Sequence, residues 1–319
     1  MAALLFPSQS ESAGVETGAP APSITSSPPA FTVVVRTLGR HHRLADALES
    51  LARQEWRDFE IVVVDMSEGK IASILDQFAA RVPGFRPVAL PISARPVALN
   101  AGVAAARAPW ITVLDDDNVY DLGHLALLAE GLSDPAVDYV YTGVRHATYS
   151  PQGDFLTSRD VSVPFDFENL LIGNFIYATG SAYRKTIWER VGGYDPCFTV
   201  FEDWDFLIRV AGAGCVRHLP VVSGESRKFT GLDGVANFDL EIAAVRRCHA
   251  GLHWKHRHLL VGPLRQRLKQ EYNKHCRRRQ PPREGLLSRT VGGWRLEFVW
   301  DLLAWWWSGR PWVVRGRTG

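Results

Sequence analysis

Cysteine is scarce in this chain. Its four residues, Cys197, Cys215, Cys248 and Cys276, contain no Cys-x-x-Cys pair and no histidine at zinc-ligand spacing. That excludes a disulfide-stapled or zinc-knuckle scaffold and suits reduced thiols in the cytosol. Net charge is nearly absent too: 36 Lys and Arg against 34 Asp and Glu leave +2, with no overall pull toward nucleic acid. No apolar run is long and uncharged enough to span a bilayer, and "MAALLFPSQS" has no basic residue ahead of its short apolar stretch, so no signal peptide is expected. Two phosphate- and cation-binding loops are also missing. "DMSEGK" has Val64 where a phosphate loop needs its first glycine and Ile71 after the lysine. The run from Asp115 has Val119 at the fifth position and no glycine at the turn, unlike an EF-hand. No internal repeat is present.

The remainder is ordinary for a globular protein, 46% apolar and 22% charged over 319 residues, enough for one main domain of about 200 residues with extensions. Charge is unevenly placed. From Val245 to Thr290 thirteen Lys and Arg face two acids, Glu271 and Glu284, so the tail is basic and the body acidic. Residues 1–30, rich in proline and small side chains, read as a disordered leader. Residues 237–319 form a basic extension expected to be helical, whose end "WRLEFVWDLLAWWWSGRPWVV" holds six of the eleven tryptophans. Tryptophan beside Lys and Arg clusters suits the membrane interface; a helix packed on the domain or an oligomer contact is the competing reading.

Between these flanks the chain alternates. "FTVVVRT" is a buried β-branched run, "HRLADALESLARQ" places Leu44, Ala47, Leu48 and Leu51 at helical spacing, and "FEIVVVD" is a second buried strand ending at Asp65. A helix over about 71–80, a strand at "FRPVALP", a small-residue helix at "PVALNAGVAAARA" and the strand "WITVL" follow. Such alternation implies a mostly parallel sheet flanked by helices, with ligands beyond the carboxyl ends of its strands. Asp65 and the trio Asp115, Asp116 and Asp117 sit at two such ends. Three adjacent carboxylates repel one another unless a cation, hydrogen bonds or water offset the repulsion. Downstream, "FEDWDFLIRVAGAG" is a helix with Glu202, Asp203 and Asp205 in its first turn, where the macrodipole favours acids even without chemistry. The histidines His249, His253, His256 and His258 fall near helical spacing among Lys and Arg, which reads as a solvated basic face rather than a metal site.

In this order and spacing, "VVVRTLGRHHRLADALESLARQEWRDFEIVVVDMSEG", "ALNAGVAAARAPWITVLDDDN" and "VGGYDPCFTVFEDWDFLIRVAGAG" resemble the family 2 glycosyltransferases of GT-A fold, over roughly Phe31 to Gly234. The resemblance implies a Rossmann-like α/β domain over residues 31–236 that binds a nucleotide-diphosphate sugar and inverts the sugar on transfer. It implies Mg²⁺ or Mn²⁺ on a DxD-type motif, here Asp117 with Asp115, and donor contacts from Thr37, Asp65, Arg95, Asp115, Asp116 and Arg227. It implies Asp203 as general base, with Glu202 holding the acceptor. Carboxylates suit hard cations and guanidinium suits phosphate, so the residue types fit these tasks. Arg36, Leu38 and Met66 depart from the commonest "PTYN" and "DDGS" versions, and Phe229 stands where a metal-completing histidine is often found, leaving Arg227 and Lys228 toward the diphosphate.

The expected acceptor is a glycan or lipid-linked hydroxyl, and the expected place is the cytoplasm, with peripheral attachment to the inner membrane face through the tail. Two rivals remain at this stage. "ITVLDDDNV" also matches haloacid-dehalogenase-like phosphatases, with Asp115 as nucleophile and Asp117 as acid/base, although those enzymes carry the motif on their first strand. The other rival is a non-catalytic membrane-surface scaffold. Nucleic acid is not an expected partner, since no recognition module accompanies "CRRRQ".

Overall fold

The computed structural model describes residues 28–82, 84–230, 238–278, 290–291 and 294–295. Its first half alternates as the sequence predicts: β1 (Phe31–Thr37), α1 (His41–Ala52), β2 (Phe59–Asp65), α2 (Ala72–Ala79), β3 (Phe85–Ala89), α3 (Arg95–Ala105) and β4 (Trp110–Asp115). These strands lie parallel in the order β3-β2-β1-β4. The register sets Thr37 beside Asp65 and Arg36 beside Asp115, so the carboxyl ends of three strands share one rim.

The second half is mixed. It comprises β5 (Val119–Tyr120), α4 (His124–Leu132), β6 (Tyr139–Tyr149), β7 (Phe155–Val161), α5 (Phe167–Ile172), a 3-10 turn (Ala178–Gly180), β8 (Ser181–Arg184), α6 (Lys185–Val191), α7 (Glu202–Ala213), β9 (Val216–Phe229), α8 (Phe238–Lys255) and α9 (Gly262–Arg278). β8 runs antiparallel to β4 and β6, β9 runs parallel to β6, and β5 and β7 add antiparallel edges. The unbroken parallel run expected from βα alternation therefore extends only as far as β4; beyond it β8 enters antiparallel to both its neighbours, and the β6–β9 pair is parallel again.

Period-2 alternation in β1 and β2 feeds two cores, one on each face. Val33, Val35, Ile61 and Val63 pack with α1, α2 and α4, while Val34, Val62 and Val64 pack with α3, α6 and α7. α3 sits close because Gly102 has no side chain; a Cβ there would fall 2.3 Å from Val34 Cγ1. Cys248 and Leu252 of α8, and Leu264 and Leu268 of α9, belong to this second core. The described part of the 237–319 extension thus packs on the 31–236 domain.

Two of the four tail histidines, His253 in the last turn of α8 and His256 just beyond it, depart from the solvated face expected of them, at 6% and 4% exposed, whereas His258 is exposed. His253 follows Leu252 directly and His256 follows it by one turn, and their burial is compensated by hydrogen bonds: His253 to the carbonyls of His249 and Leu171, His256 to Asp205. Nearly all of the leader, and the tryptophan-rich end beyond Arg295, lie outside the described residues.

Candidate active site

Three loops meet at the sheet rim. The β1–α1 turn turns sharply at Gly39 (φ +88°), where a Cβ would meet Ser67 Cβ at 2.8 Å, and so brings Arg36, Thr37 and Arg40 against the β4 carboxylates. The Asp115–Asn118 turn is tied from beneath. Asn118 Nδ2 donates to Thr179 Oγ1 at 2.7 Å, and Asn118 Oδ1 accepts from Arg227 N at 2.9 Å. α7 is entered through Phe201 in the left-handed region (φ +67°), a conformation rare for a bulky residue, and its first turn carries Glu202 and Asp203.

Arg36 joins the two acidic motifs. Its guanidinium donates to both Asp115 oxygens, at 2.5 and 3.0 Å, and its Nη1 reaches Glu202 Oε1 at 3.3 Å, across 166 residues of sequence. Arg40 bonds Asp116 and Asp117, the latter at 2.8 Å, and Thr37 Oγ1 donates to Asp116 at 2.6 Å. Arg36, Thr37, Arg40 and the three aspartates, with Leu38, Met66, Ser93, Ala94, Arg95 and Thr199, line a cleft of about 250 Å³. The cleft therefore brings together Thr37, Arg95 and all three predicted aspartates.

The electrostatics divide the acids into two kinds. Burial would raise the Asp115 carboxyl, but the Arg36 guanidinium outweighs it and holds the group down at about 2. Burial pushes Glu202 up to about 7, with Asp203 adding to the rise and Arg36 opposing it. Burial raises Asp203 as well, against the Trp204 amide and the guanidiniums of Arg36 and Arg95. Asp203 keeps part of its surface open, and Asn174 Nδ2 donates to it at 3.3 Å. An acid held down and a pair pushed up thus lie beside one arginine, an arrangement common where acids take different chemical roles.

Other expected residues lie elsewhere. The Asp65 carboxylate accepts from Ser67 N, Ser67 Oγ and Gly69 N, organising the turn beside the cleft wall. Arg227 pairs with Glu225 and Asp46 and lines a neighbouring cleft with Tyr120 and Arg53. Asp205, which the sequence leaves as a helix cap, is fully buried on the far side of α7, bonded to Arg209, Lys255 and His256.

The donor set fits a hard divalent cation that keeps water and substrate oxygens as most of its ligands. Asp117 presents a partly exposed carboxylate at the rim, and Asp115 retains lone pairs beyond those taken by Arg36. No cluster of three or more acids, histidines or cysteines able to cage a metal occurs among the described residues.

Residues 32–192 match the Glycosyl transferase family 2 model, just over half of the chain. The chain belongs to glycosyl transferase family 2. A PGL/p-HBAD biosynthesis glycosyltransferase of Mycobacterium tuberculosis is 31% identical over 214 residues, 64% of this chain and 79% of that protein. The uncharacterized glycosyltransferase YwdF of Bacillus subtilis is 26% identical over 199 residues, 60% and 72% of the two chains. Among solved structures, S. aureus TarS 1–349 in complex with UDP-GlcNAc superposes with a TM-score of 0.57 at 16% identity, covering 77% of this chain and 72% of that one. Against the longer TarS chain, this family 2 member spans 43% of the length. The GT-A fold expected from the motifs is the fold observed. Family membership also displaces the phosphatase reading of Asp115 and Asp117, whose strand β4 follows three complete βα units.

Sequence reasoning named Arg36 only as a departure and passed over Arg40, Asn118 and Thr199. The signal for the two arginines was present in "RTLGR": two cations at a strand end, opposite three carboxylates on the neighbouring strand.

Proposed function

We propose that this protein is an inverting transferase that moves a sugar from a nucleoside diphosphate to a hydroxyl of a glycan or lipid-linked acceptor. The observation that carries the reading is the Arg36 bridge, which ties Asp115 at the end of β4 to Glu202 in the first turn of α7. UDP-GlcNAc in the TarS complex supports the donor class.

The base and ribose of the donor lie against Thr37, Leu38, Met66 and Ser93–Arg95, with Asp65 fixing the turn that carries Met66. Arg95 and Arg40 face the diphosphate, for which guanidinium is the suited donor. A Mg²⁺ or Mn²⁺ ion held by Asp117, with Asp115, supplies neutralisation of the charge that grows on the leaving diphosphate. Asp203, oriented by Asn174, accepts the proton of the acceptor hydroxyl as its oxygen attacks the anomeric carbon. The bond from that carbon to the diphosphate breaks on the opposite face, so configuration inverts. Glu202, protonated over part of the neutral range, donates a hydrogen bond that holds the acceptor.

The test is a panel of nucleotide sugars scored for release of nucleoside diphosphate with Mn²⁺, Mg²⁺ and EDTA. One donor class should turn over with metal and fall by about a hundredfold or more without it. Equal rates in EDTA would remove the metal from the proposal, and no turnover of any nucleotide sugar would remove the donor.

The exposed Arg265 and Arg267 of α9, continued in sequence by the Lys/Arg-rich and tryptophan-rich end, support attachment to an anionic membrane face. No helix among the described residues is long and apolar enough to cross a membrane. In flotation, the protein should rise with vesicles containing anionic lipid and be released by salt. Failure to float, or indifference to lipid charge, removes the membrane from the account.

A further inference from the structure

The charges of the cleft are matched before any ligand enters. Three guanidiniums, Arg36, Arg40 and Arg95, face three carboxylates, Asp115, Asp116 and Asp117. A divalent cation arriving alone would leave the cleft with excess positive charge, and a diphosphate arriving alone would leave it with excess negative charge. Cation and diphosphate entering together restore the balance.

Two of the arginines differ in freedom. The Arg36 side chain is 11% exposed and clamped by both oxygens of Asp115 and by Glu202. Arg40 is 38% exposed, and its partner Asp117 is itself 17% exposed at the rim. The backbone before Arg40 is pinned where Gly39 packs on Ser67, so a change of partner has to come from the side chain. Asp116 does not need Arg40 to stay in place, because Thr37 already donates to it. Asp117 is the carboxylate whose ion pair with Arg40 opens if Arg40 turns away.

We propose that Arg40 is an exchangeable counter-ion of the acidic motif. Without donor it neutralises Asp117, the carboxylate assigned above to the metal; when cation and diphosphate enter, it passes from Asp117 to the phosphate oxygens. The inference rests on the transferase reading and adds to it that Arg40 couples the two ligands. The guanidinium beside Asp117 repels a second cation approaching the same carboxylate, so Arg40 weakens metal binding to the empty cleft. Guanidinium bonds phosphate at least as well as carboxylate, so the same residue strengthens binding of the pair. Coupling of this kind is reciprocal: UDP tightens Mn²⁺ by the factor by which Mn²⁺ tightens UDP.

The experiment follows Mn²⁺ binding by the loss of the free-ion electron paramagnetic resonance signal, with and without UDP, in the full-length protein. Wild type, Arg40→Gln, Arg40→Lys and Asp117→Asn are compared, with thermal melts to confirm folding. Arg40→Gln should bind Mn²⁺ without UDP about tenfold tighter than wild type and gain correspondingly less from UDP. Arg40→Lys, which keeps the charge but loses the planar fork of the guanidinium, should fall between them, and it carries the test if the Gln variant does not fold. If both Arg40 variants match wild type within about twofold while Asp117→Asn abolishes binding, the exchange is wrong and the metal site stands. If Asp117→Asn binds Mn²⁺ as wild type does, the metal assignment falls and the exchange with it.

Discussion

Arg36 is the residue on which the candidate site turns. It stands where the family commonly has proline, and a guanidinium there does what proline cannot: it holds Asp115 ionised and lowers the pair Glu202 and Asp203 against the desolvation that raises them. The two α7 acids titrate together, so the activity should show one apparent acid limb belonging to the pair. Because the base must be ionised, kcat/KM should rise with pH toward the neutral range, where Glu202 sits at about 7. Arg36→Gln removes the cation that favours both ionised forms, so the limb should move to higher pH and the rate at pH 7 should drop. An unchanged limb in the pH–rate profile would show that Arg36 does not govern the base. The stability linkage has the opposite sign. A carboxyl raised by folding contributes most below the ordinary carboxyl range, and that contribution is lost as pH rises through about 7.

Among the elements, α7 carries the proposed base, and its far side is held by a network that the sequence conceals. Burial would raise Asp205, but the His256 hydrogen bond, Arg209 and Lys255 outweigh it and hold the carboxyl down at about 2. Lys255 also bonds Asp195, so α8 is fastened both to α7 and to the turn leading into it. Asp205→Asn should destabilise the fold at pH 7 by about 3 kcal/mol in denaturant titrations, the usual loss when one partner of a buried ionic network is removed. The contribution of an ionised Asp205 is present above the ordinary carboxyl range and is lost as pH falls through about 2, so the gap between variant and wild type should narrow in acid. A loss under 0.5 kcal/mol, roughly the scale of surface changes, would mean that α8 is not held this way.

The strands and helices before β4 were legible because their periodicities are local: buried β-branched runs, and leucines at helical spacing. The acids of the rim were legible because each ends a strand or opens a helix. Asp205 was not, since its first-turn position suits a solvated helix start as well as it suits burial. Only partners 50 and 51 residues later, Lys255 and His256, distinguish the two. Arg227 misled for the related reason that a cation near the end of a strand can face either of two adjacent clefts. The antiparallel turn of the sheet after β4 was equally hidden, because pairing direction depends on how the chain returns rather than on the composition of a strand.

At the scale of the whole molecule, the α8–α9 extension and the GT-A sheet share one core, so α7 is packed from both directions. The roles proposed for the β4 turn, binding the leaving diphosphate, and for α7, removing the acceptor proton, are two tasks that one pair of substitutions separates. The deciding measurement is donor binding by calorimetry, in Mn²⁺, set beside turnover of the same donor, for wild type, Asp203→Asn and Asp117→Asn. Asp203→Asn should bind donor within a few-fold of wild type and lose turnover by about a thousandfold, whereas Asp117→Asn should lose binding and turnover together. Asp203→Asn turning over at close to the wild-type rate would contradict the account.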